Sequence, residues 1–218
     1  MPDAASTWIA LDERYQESGD LPGALHQATY GPAPVVFTAP HSVRHLRGGA
    51  IKRADIRTGG LAELLAIQAS ARVLTSTGLP ANDPNWHDGP TPFRKALLED
   101  LQPGDLVIDL HGMGDEHGVD VVIGLGPLPD ACSHLAVVRL RAALAEYRLT
   151  CVTGDPFPAL HPGTVTAAVQ AAGFSALQVE VAACRRRPLR EPERARPLVA
   201  ALVSWASTVR DLGQPALS

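Results

Sequence analysis

Short apolar runs alternate along this chain with longer segments in which apolar residues recur at helical spacing. The runs predict strands, because they are rich in aliphatic and β-branched residues and are bounded by glycine, proline or polar residues. The predicted strands cover residues 34–38, 72–75, 106–113, 119–125, 149–152 and 175–181. The predicted helices cover residues 55–69, 92–101, 129–147, 164–172 and 191–212.

The most strongly patterned stretch is 106–113, which reads Leu-Val-Ile-Asp-Leu-His-Gly-Met. Its nearly continuous apolar run is typical of a strand that is covered on both faces. The alternation of strands and helices predicts a three-layer α/β fold with a mostly parallel central sheet flanked by helices. The 218 residues are enough for one sizeable core, so we expect a single domain over residues 1–218. Residues 1–30 are polar and weakly patterned, and we expect a surface lead-in with one short helix near residues 20–27.

Composition and charge argue against a membrane-spanning protein and against a general nucleic-acid binder. A hydrophobic content of 45% fits a soluble globular protein, and no apolar run is long enough to span a membrane. The net charge of -4 argues against a general nucleic-acid binder. The acidic N-terminal segment lacks the basic-then-apolar order of a signal peptide, so we expect a cytoplasmic location. The three widely spaced cysteines (Cys132, Cys151 and Cys184) predict reduced, partly buried thiols.

Candidate chemical groups fall at the ends of predicted strands. His41 follows the first strand directly, His111 ends the apolar run of 106–110, and Glu180 lies near the end of the last strand. Chemistry collects beyond the carboxyl ends of the strands in an open α/β sheet, so we expect these ends to meet around a metal ion. Zinc requires three protein donors and an open position. Asp55 is the nearest acidic residue downstream of His41 and could be a donor, or it could complement the dipole of the helix that it opens.

Two further carboxylates have alternative interpretations. Glu180 lies in an apolar strand, where a carboxylate is costly unless it is paired or functional. A partly desolvated glutamate beside a metal could take a proton from water and pass it to a leaving amine, whereas the alternative is an ion pair with Arg185 or Arg186. Asp109 could orient a metal ligand, or it could hydrogen-bond a loop.

Short motifs follow one another over residues 34–190: Ala-Pro-His-Ser at 39–42, Asp55 leading into Leu61, Asp-Pro-Asn at 83–85, Ile-Asp-Leu-His at 108–111, residues 163–166, and Leu-Gln-Val-Glu at 177–180. This series resembles the N-formylglutamate amidohydrolase family, which belongs with the zinc carboxypeptidase-like and aspartoacylase-like hydrolases. The resemblance implies that His41, Asp55 and His111 bind one Zn²⁺ per chain and that Glu180 is the general acid/base. It also implies a mixed central sheet flanked by helices.

One motif departs from the family pattern. The family usually reads Asp-Leu-Asn-Arg where this chain has Asp-Pro-Asn-Trp at 83–86, so Asn85 matches and Trp86 replaces the arginine expected to bind a substrate carboxylate. Arg94 could supply a bidentate carboxylate contact, or it could be a solvated residue on a first helical turn. Other candidates for substrate or anion binding are Arg44, Arg57 and His161, the last of which lies in the loop that the family places over the substrate.

These features favour a zinc-dependent amidohydrolase that acts on carbon-nitrogen bonds other than ordinary peptide bonds. Its expected partner is a small acidic N-formyl or N-acyl amino acid or a peptide-like amide, with no nucleic acid and no membrane. A poly-γ-glutamyl or modified-peptide hydrolase of the same fold is one alternative. The others are a thiol hydrolase using Cys151 or Cys184 and a catalytically inactive binding module. The sequence carries no signal for an oligomeric state.

Overall fold

The computed structural model describes residues 3–15, 22–209 and 212. The helices are α1 (Ala4–Asp12), α2 (Thr58–Ala69), α3 (Pro92–Asp100), α4 (Ala131–Glu146), α5 (Val165–Ala171) and α6 (Pro192–Val209), with short 3-10 helices at Asp115–His117 and Ala183–Arg186. The strands are β1 (Leu25–Thr29), β2 (Val35–Ala39), β3 (His45–Arg47), β4 (Ala50–Lys52), β5 (Arg72–Ser76), β6 (Leu106–Met113), β7 (Val121–Gly124), β8 (Cys151–Thr153) and β9 (Ser175–Ala182).

Seven of these strands form a mixed sheet in the order β1-β5-β2-β6-β9-β7-β8. The central strands β5, β2, β6 and β9 are parallel to one another. Strand β1 runs antiparallel to β5, and β7 runs antiparallel to β9 while β8 follows β7 in parallel. The predicted α/β fold with a mixed central sheet is confirmed. Strands β3 and β4 form a separate hairpin.

Helices cover both faces of the sheet, and the alternation of buried residues along the strands shows how. In β2, Val35 and Phe37 pack with the helices α2, α4 and α6, whereas Val36 packs on the opposite face with α3 and α5. Strand β6 follows the same rule, with Ile108 on the first face and Val107 on the second. Both central strands are therefore apolar at nearly every position, because neither face meets solvent.

The N-terminal segment differs from the expected surface lead-in. Trp8 on α1 is fully buried against the core, and its indole Nε1 donates to the Arg57 carbonyl oxygen at 2.9 Å. The first turn of α2 carries glycine at positions 59 and 60, and a Cβ on Gly59 would come within 2.6 Å of the Tyr15 ring. The helix expected near residues 20–27 is not formed over its described part, because residues 22 and 23 lie in a turn and β1 begins at Leu25. Residues 20 and 21 lie outside the described residues.

Helix α3 begins where its capping residues predict. Thr91 accepts a hydrogen bond from the Arg94 backbone N–H, and Pro92 occupies the first turn. By contrast, α2 begins at Thr58 instead of Asp55, so Asp55 lies in the turn before the helix. Among the helices of the described residues, none is long and apolar enough to cross a membrane.

Candidate metal centre

The backbone brings three potential ligands together at the carboxyl ends of β2 and β6. His41 follows β2, and His111 lies in the last half of β6. The Asp55 backbone N–H donates to the His41 carbonyl oxygen at 2.8 Å, which fixes Asp55 beside His41. The turn from Asp55 into α2 is closed by Thr58, whose hydroxyl donates to the Asp55 carbonyl oxygen at 2.7 Å. Asp55 is therefore held by main-chain contacts at the point where the two strands end.

The donor atoms of these three residues converge. Asp55 Oδ2 lies 3.3 Å from His111 Nδ1 and 3.6 Å from His41 Nδ1. The two imidazole rings have centroids 4.9 Å apart and meet at 73°. One ligand atom from each residue lies within 4.8 Å of the others, so a single ion could contact all three. Two imidazole nitrogens and one carboxylate oxygen are a donor set that suits zinc.

A buried carboxylate holds the outer nitrogen of each histidine. His41 Nε2 donates to Asp83 Oδ1 at 2.7 Å, and His111 Nε2 donates to Asp109 Oδ2 at 2.9 Å. Asp109 is itself held by the Thr38 hydroxyl, which donates to Asp109 Oδ1 at 2.6 Å. Since each Nε2 donates to a carboxylate, the two Nδ1 atoms are the nitrogens left to bind an ion beside Asp55. Carboxylates in this position orient metal-binding histidines and raise their basicity.

A second group of potential ligands shares His41 and consists of His41, His45 and Asp83. This group fits an ion less well than the first. The His41 and His45 rings are stacked at 3.7 Å with only 9° between their planes, so their in-plane lone pairs do not converge. Both Asp83 oxygens are also engaged, since Oδ1 accepts from the Asn85 backbone N–H at 2.9 Å and Oδ2 accepts from Arg47 Nε at 2.5 Å.

The charges of the site are mutually stabilised. Burial by itself would raise the pKa of Asp55, but hydrogen bonds from His111 and His41 outweigh it and hold the pKa well below the ordinary value. Burial would lower the pKa of His111, but Asp109 and Asp55 raise it well above 6.5. The pKa of His41 is also raised, because its bonds to Asp55 and Asp83 outweigh burial. The hydrogen bonds from the two histidines therefore favour the ionised form of Asp55.

Glu180 lies on β9 directly opposite His111 of β6 in the sheet register. Its side chain is buried, and Gln178 Nε2 donates to its Oε1 at 3.0 Å. Burial raises the pKa of Glu180 to about 7, with His111 opposing the shift. The alternative ion pairs predicted for Glu180 are not formed among the described residues, since Arg185 bonds Asp120 and Arg186 bonds backbone carbonyls.

These residues open into a cleft of about 670 Å³ that contains both histidines, Asp55 and Glu180. One wall is formed by Trp86, whose ring stacks on His161 at 4.1 Å with 8° between the planes. Asn85 also lines the cleft, and its Oδ1 accepts from the Val165 backbone N–H at 2.6 Å. Three cationic side chains line the cleft, namely Arg47, Lys52 and Arg53.

The structure does not bring the predicted arginines into this cleft. Arg94 is buried on the first turn of α3, and its guanidinium donates to the carbonyl oxygens of His87 (2.6 Å) and Gly89 in the preceding loop. Arg57 pairs with Asp12 Oδ2 at 3.2 Å and lines a neighbouring pocket. Arg44 is half-buried just after His41 and is not among the residues that line the cleft. Asn85 and His161 are the predicted substrate residues that do line it.

Several residues of the site were not assigned from the sequence. Asp83 and Gln178 both lie inside the motifs that resemble the family, but the sequence does not show their hydrogen-bond partners. In the fold these partners are His41 for Asp83 and Glu180 for Gln178. The hairpin of β3 and β4, which places Arg47 and Lys52 in the lining of the cleft, has no strand pattern in the sequence. His45 Nδ1 and Gln178 Oε1 are buried without a hydrogen-bond partner within the described chain.

The fold and the site define the chain as an α/β protein with a candidate metal centre at the strand ends of a mixed sheet. No protein-family model matches the sequence, and no curated protein matches it significantly. Solved structures with the same fold include N-formylglutamate amidohydrolase from Ralstonia eutropha JMP134, with a TM-score of 0.63, 18% identity, and coverage of 87% of this chain and 97% of that chain.

Two further solved structures are similar. A bacteriophage poly-gamma-glutamate hydrolase has a TM-score of 0.54 and 13% identity, covering 86% of this chain and 88% of its own. A metallo-carboxypeptidase from Burkholderia cenocepacia has a TM-score of 0.50 and 13% identity, covering 94% of this chain and 68% of its own. The resemblance inferred from the motifs is confirmed at the level of the fold.

Proposed function

We propose that this chain is a zinc-dependent amidohydrolase that cleaves the amide of a small acidic N-acyl compound. The observation that carries the proposal is the convergence of His41 Nδ1, His111 Nδ1 and Asp55 Oδ2 at the floor of a cleft, with Glu180 on the adjacent strand. Zinc bound by these residues would supply a Lewis acid for the carbonyl group and for the attacking water.

The protein's own groups supply the other requirements of amide hydrolysis. Among the described residues that line the cleft, Glu180 is the one carboxylate apart from Asp55. Its oxygens can accept a proton from water and return it to the departing nitrogen. Gln178 fixes the Glu180 carboxylate through its 3.0 Å hydrogen bond. Gln178 and His45 also line the cleft, so their side chains border the space that a substrate would occupy.

The charge of the cleft supports an acidic substrate. Arg47, Lys52 and Arg53 all line it, and Lys52 and Arg53 are exposed. Arg47 is partly committed to Asp83, and its guanidinium lies 5.0 Å above the Trp86 ring. These three cations can therefore bind the substrate carboxylate. Arg94 cannot readily do so, because its guanidinium donates to the loop carbonyls.

A poly-γ-glutamyl or modified-peptide hydrolase is a second candidate within the same chemistry. The cleft volume of about 670 Å³ favours it, because pockets of this size accommodate ligands much larger than one amino acid. The exposed cations at its mouth would also suit a substrate that carries several carboxylates.

The thiol-hydrolase alternative has little support in the structure. Burial raises the pKa of the Cys151 thiol to about 11, and burial also raises the pKa of Cys184. Neither cysteine lines the cleft. A reactive cysteine would need a lowered pKa and a neighbouring base. A catalytically inactive binding module would bind the ligand without turning it over, so an assay of hydrolysis distinguishes it from an amidohydrolase.

The test is hydrolysis of a matched panel by zinc-supplemented protein: N-formylglutamate, N-acetylglutamate, N-formylleucine and γ-glutamyl oligomers. We expect cleavage of acidic members, loss of activity with a chelator, and a fall in kcat of at least about 100-fold in Glu180→Gln. Glu99→Gln, at an exposed position on α3, is the matched control. Absence of turnover across the panel, or a normal rate in Glu180→Gln, would contradict the proposal.

A further inference from the structure

A second pocket of about 570 Å³ adjoins the cleft, and we call it the arginine pocket. It lies between the segment that precedes α2 and the 3-10 helix that follows β9. Its lining includes Arg53, Arg57, Arg186, Arg187 and Arg190. Arg53 also lines the cleft, so the two spaces share a wall residue.

The arginine pocket carries an excess of positive charge. None of the described residues that line it is acidic. Arg57 is paired with Asp12 at 3.2 Å, and Arg187 is paired with Asp115 and Glu191 outside the lining. Arg53 and Arg190 are exposed and have no ion pair over residues 3–15, 22–209 and 212. Two guanidinium groups therefore remain available for an anionic ligand.

Arg186 forms the buried base of this pocket. Its guanidinium is held by main-chain oxygens, with Nε donating to Val181 at 3.0 Å and the terminal nitrogens donating to Ile56 and to Met113. Within the described chain, no carboxylate bonds it directly. Gly112 leaves the necessary space, since a Cβ there would lie 2.4 Å from Arg186 Cζ. The base of the pocket is thus a rigid cation that no bonded carboxylate neutralises.

The remaining wall is apolar. Ile56 and Leu189 line the pocket and are 50% and 65% exposed. Large aliphatic side chains exposed beside a cluster of arginines suit a ligand with both an anionic group and an aliphatic segment. An inorganic anion would use the arginines alone and leave this wall unused.

We propose that the arginine pocket binds the carboxylate or phosphate group of an organic anion, with Arg53 and Arg190 as its adjustable contacts and Arg186 as its fixed base. The further assignment of this anion as the acidic end of the substrate rests on the proposed function. The binding site itself does not, because its residues are distinct from the metal ligands. Planar guanidinium groups match both carboxylate and phosphate oxygens bidentately.

The binding test is a thermal-denaturation titration of the full chain with glutarate, with phosphate and with sodium chloride at matched ionic strength. We expect glutarate to raise the Tm saturably beyond the chloride control, and to do so equally after chelator treatment. The half-saturating concentration should rise about tenfold or more in the double variant Arg53→Gln/Arg190→Gln. Arg141→Gln, at an exposed arginine on α4, should match the parent protein.

The outcomes separate the sources of the anion. Protection by glutarate alone supports a carboxylate ligand, and equal protection by phosphate supports a phosphorylated one. Protection that disappears with the chelator would place glutarate on the metal centre and overturn the proposal. So would identical titrations in the parent protein and the double variant.

A kinetic comparison tests the link to the substrate. The double variant should raise the KM for N-formylglutamate about tenfold and leave the KM for N-formylglutamine within twofold. Equal effects on both compounds would overturn the assignment of the pocket to the substrate's acidic end. If no N-acyl amino acid is hydrolysed while the glutarate titration behaves as expected, the proposed function fails and the anion site stands.

Discussion

The carboxylate behind His41 offers the sharpest perturbation of the candidate metal centre. Asp83→Asn keeps the size of the side chain and removes the charge that accepts from His41 Nε2 at 2.7 Å. Losing such a partner typically weakens metal binding about 10- to 100-fold, which corresponds to about 1.4 to 2.8 kcal/mol. Because Asp83 is buried and its Oδ1 also accepts from the Asn85 backbone N–H, we expect the upper half of that range.

The assay is a competition titration of zinc against a fluorescent chelator, with circular dichroism to verify the fold. Asp88→Asn, whose side chain is 91% exposed in the same loop, is the control and should bind zinc normally. His45→Ala separates the two potential ligand groups, because it should keep zinc affinity within a few-fold if the ion lies at Asp55. Unchanged affinity in Asp83→Asn, or complete loss in His45→Ala with the fold intact, would refute this description of the site.

Three other predictions concern residues around the site and the N-terminal segment. Gln178→Leu removes the hydrogen bond to Glu180 Oε1, so kcat should fall several-fold with zinc content unchanged; a change confined to KM would contradict this positioning role. Arg94→Ala should lower the free energy of unfolding in urea by about 1 to 3 kcal/mol and leave KM near normal, because the Arg94 guanidinium binds loop carbonyls. A raised KM at normal stability would instead show that Arg94 binds substrate. Trp8→Ala should lower the free energy of unfolding by about 3 to 5 kcal/mol, because the Trp8 side chain is fully buried. An unaltered urea midpoint would mean that α1 does not pack against the core as described.

The central strands were predictable because their physics is local. A strand covered on both faces must be apolar at nearly every position, and β2, β6 and β9 show this pattern in the sequence itself. The edge strand β1 is only partly buried, so its polar sequence carries no such pattern. Strand direction is likewise set by the whole fold, which is why β7 runs antiparallel to β9 without a local signal.

At the site too, residues at strand ends could be predicted from the sequence, whereas contacts between distant segments could not. Strand ends indicated His41 and His111, since such ends meet at one edge of the sheet. The contact between His41 and Asp83 spans 42 residues of sequence and depends on how the loop after β5 folds back. The burial of Trp8 is similar, because its partner is the Arg57 carbonyl oxygen in the turn before α2.

The most direct test of the central claim is the metal content of the purified protein by plasma mass spectrometry, beside Asp55→Ala, His111→Ala and the exposed control His134→Ala. The convergence of three donors predicts about one zinc per chain in the parent and in His134→Ala, and none in the two ligand variants. Parent protein that holds no zinc and takes up none when zinc is supplied would contradict the account. Zinc retained in Asp55→Ala but lost in His111→Ala would show that the carboxylate ligand has been assigned wrongly.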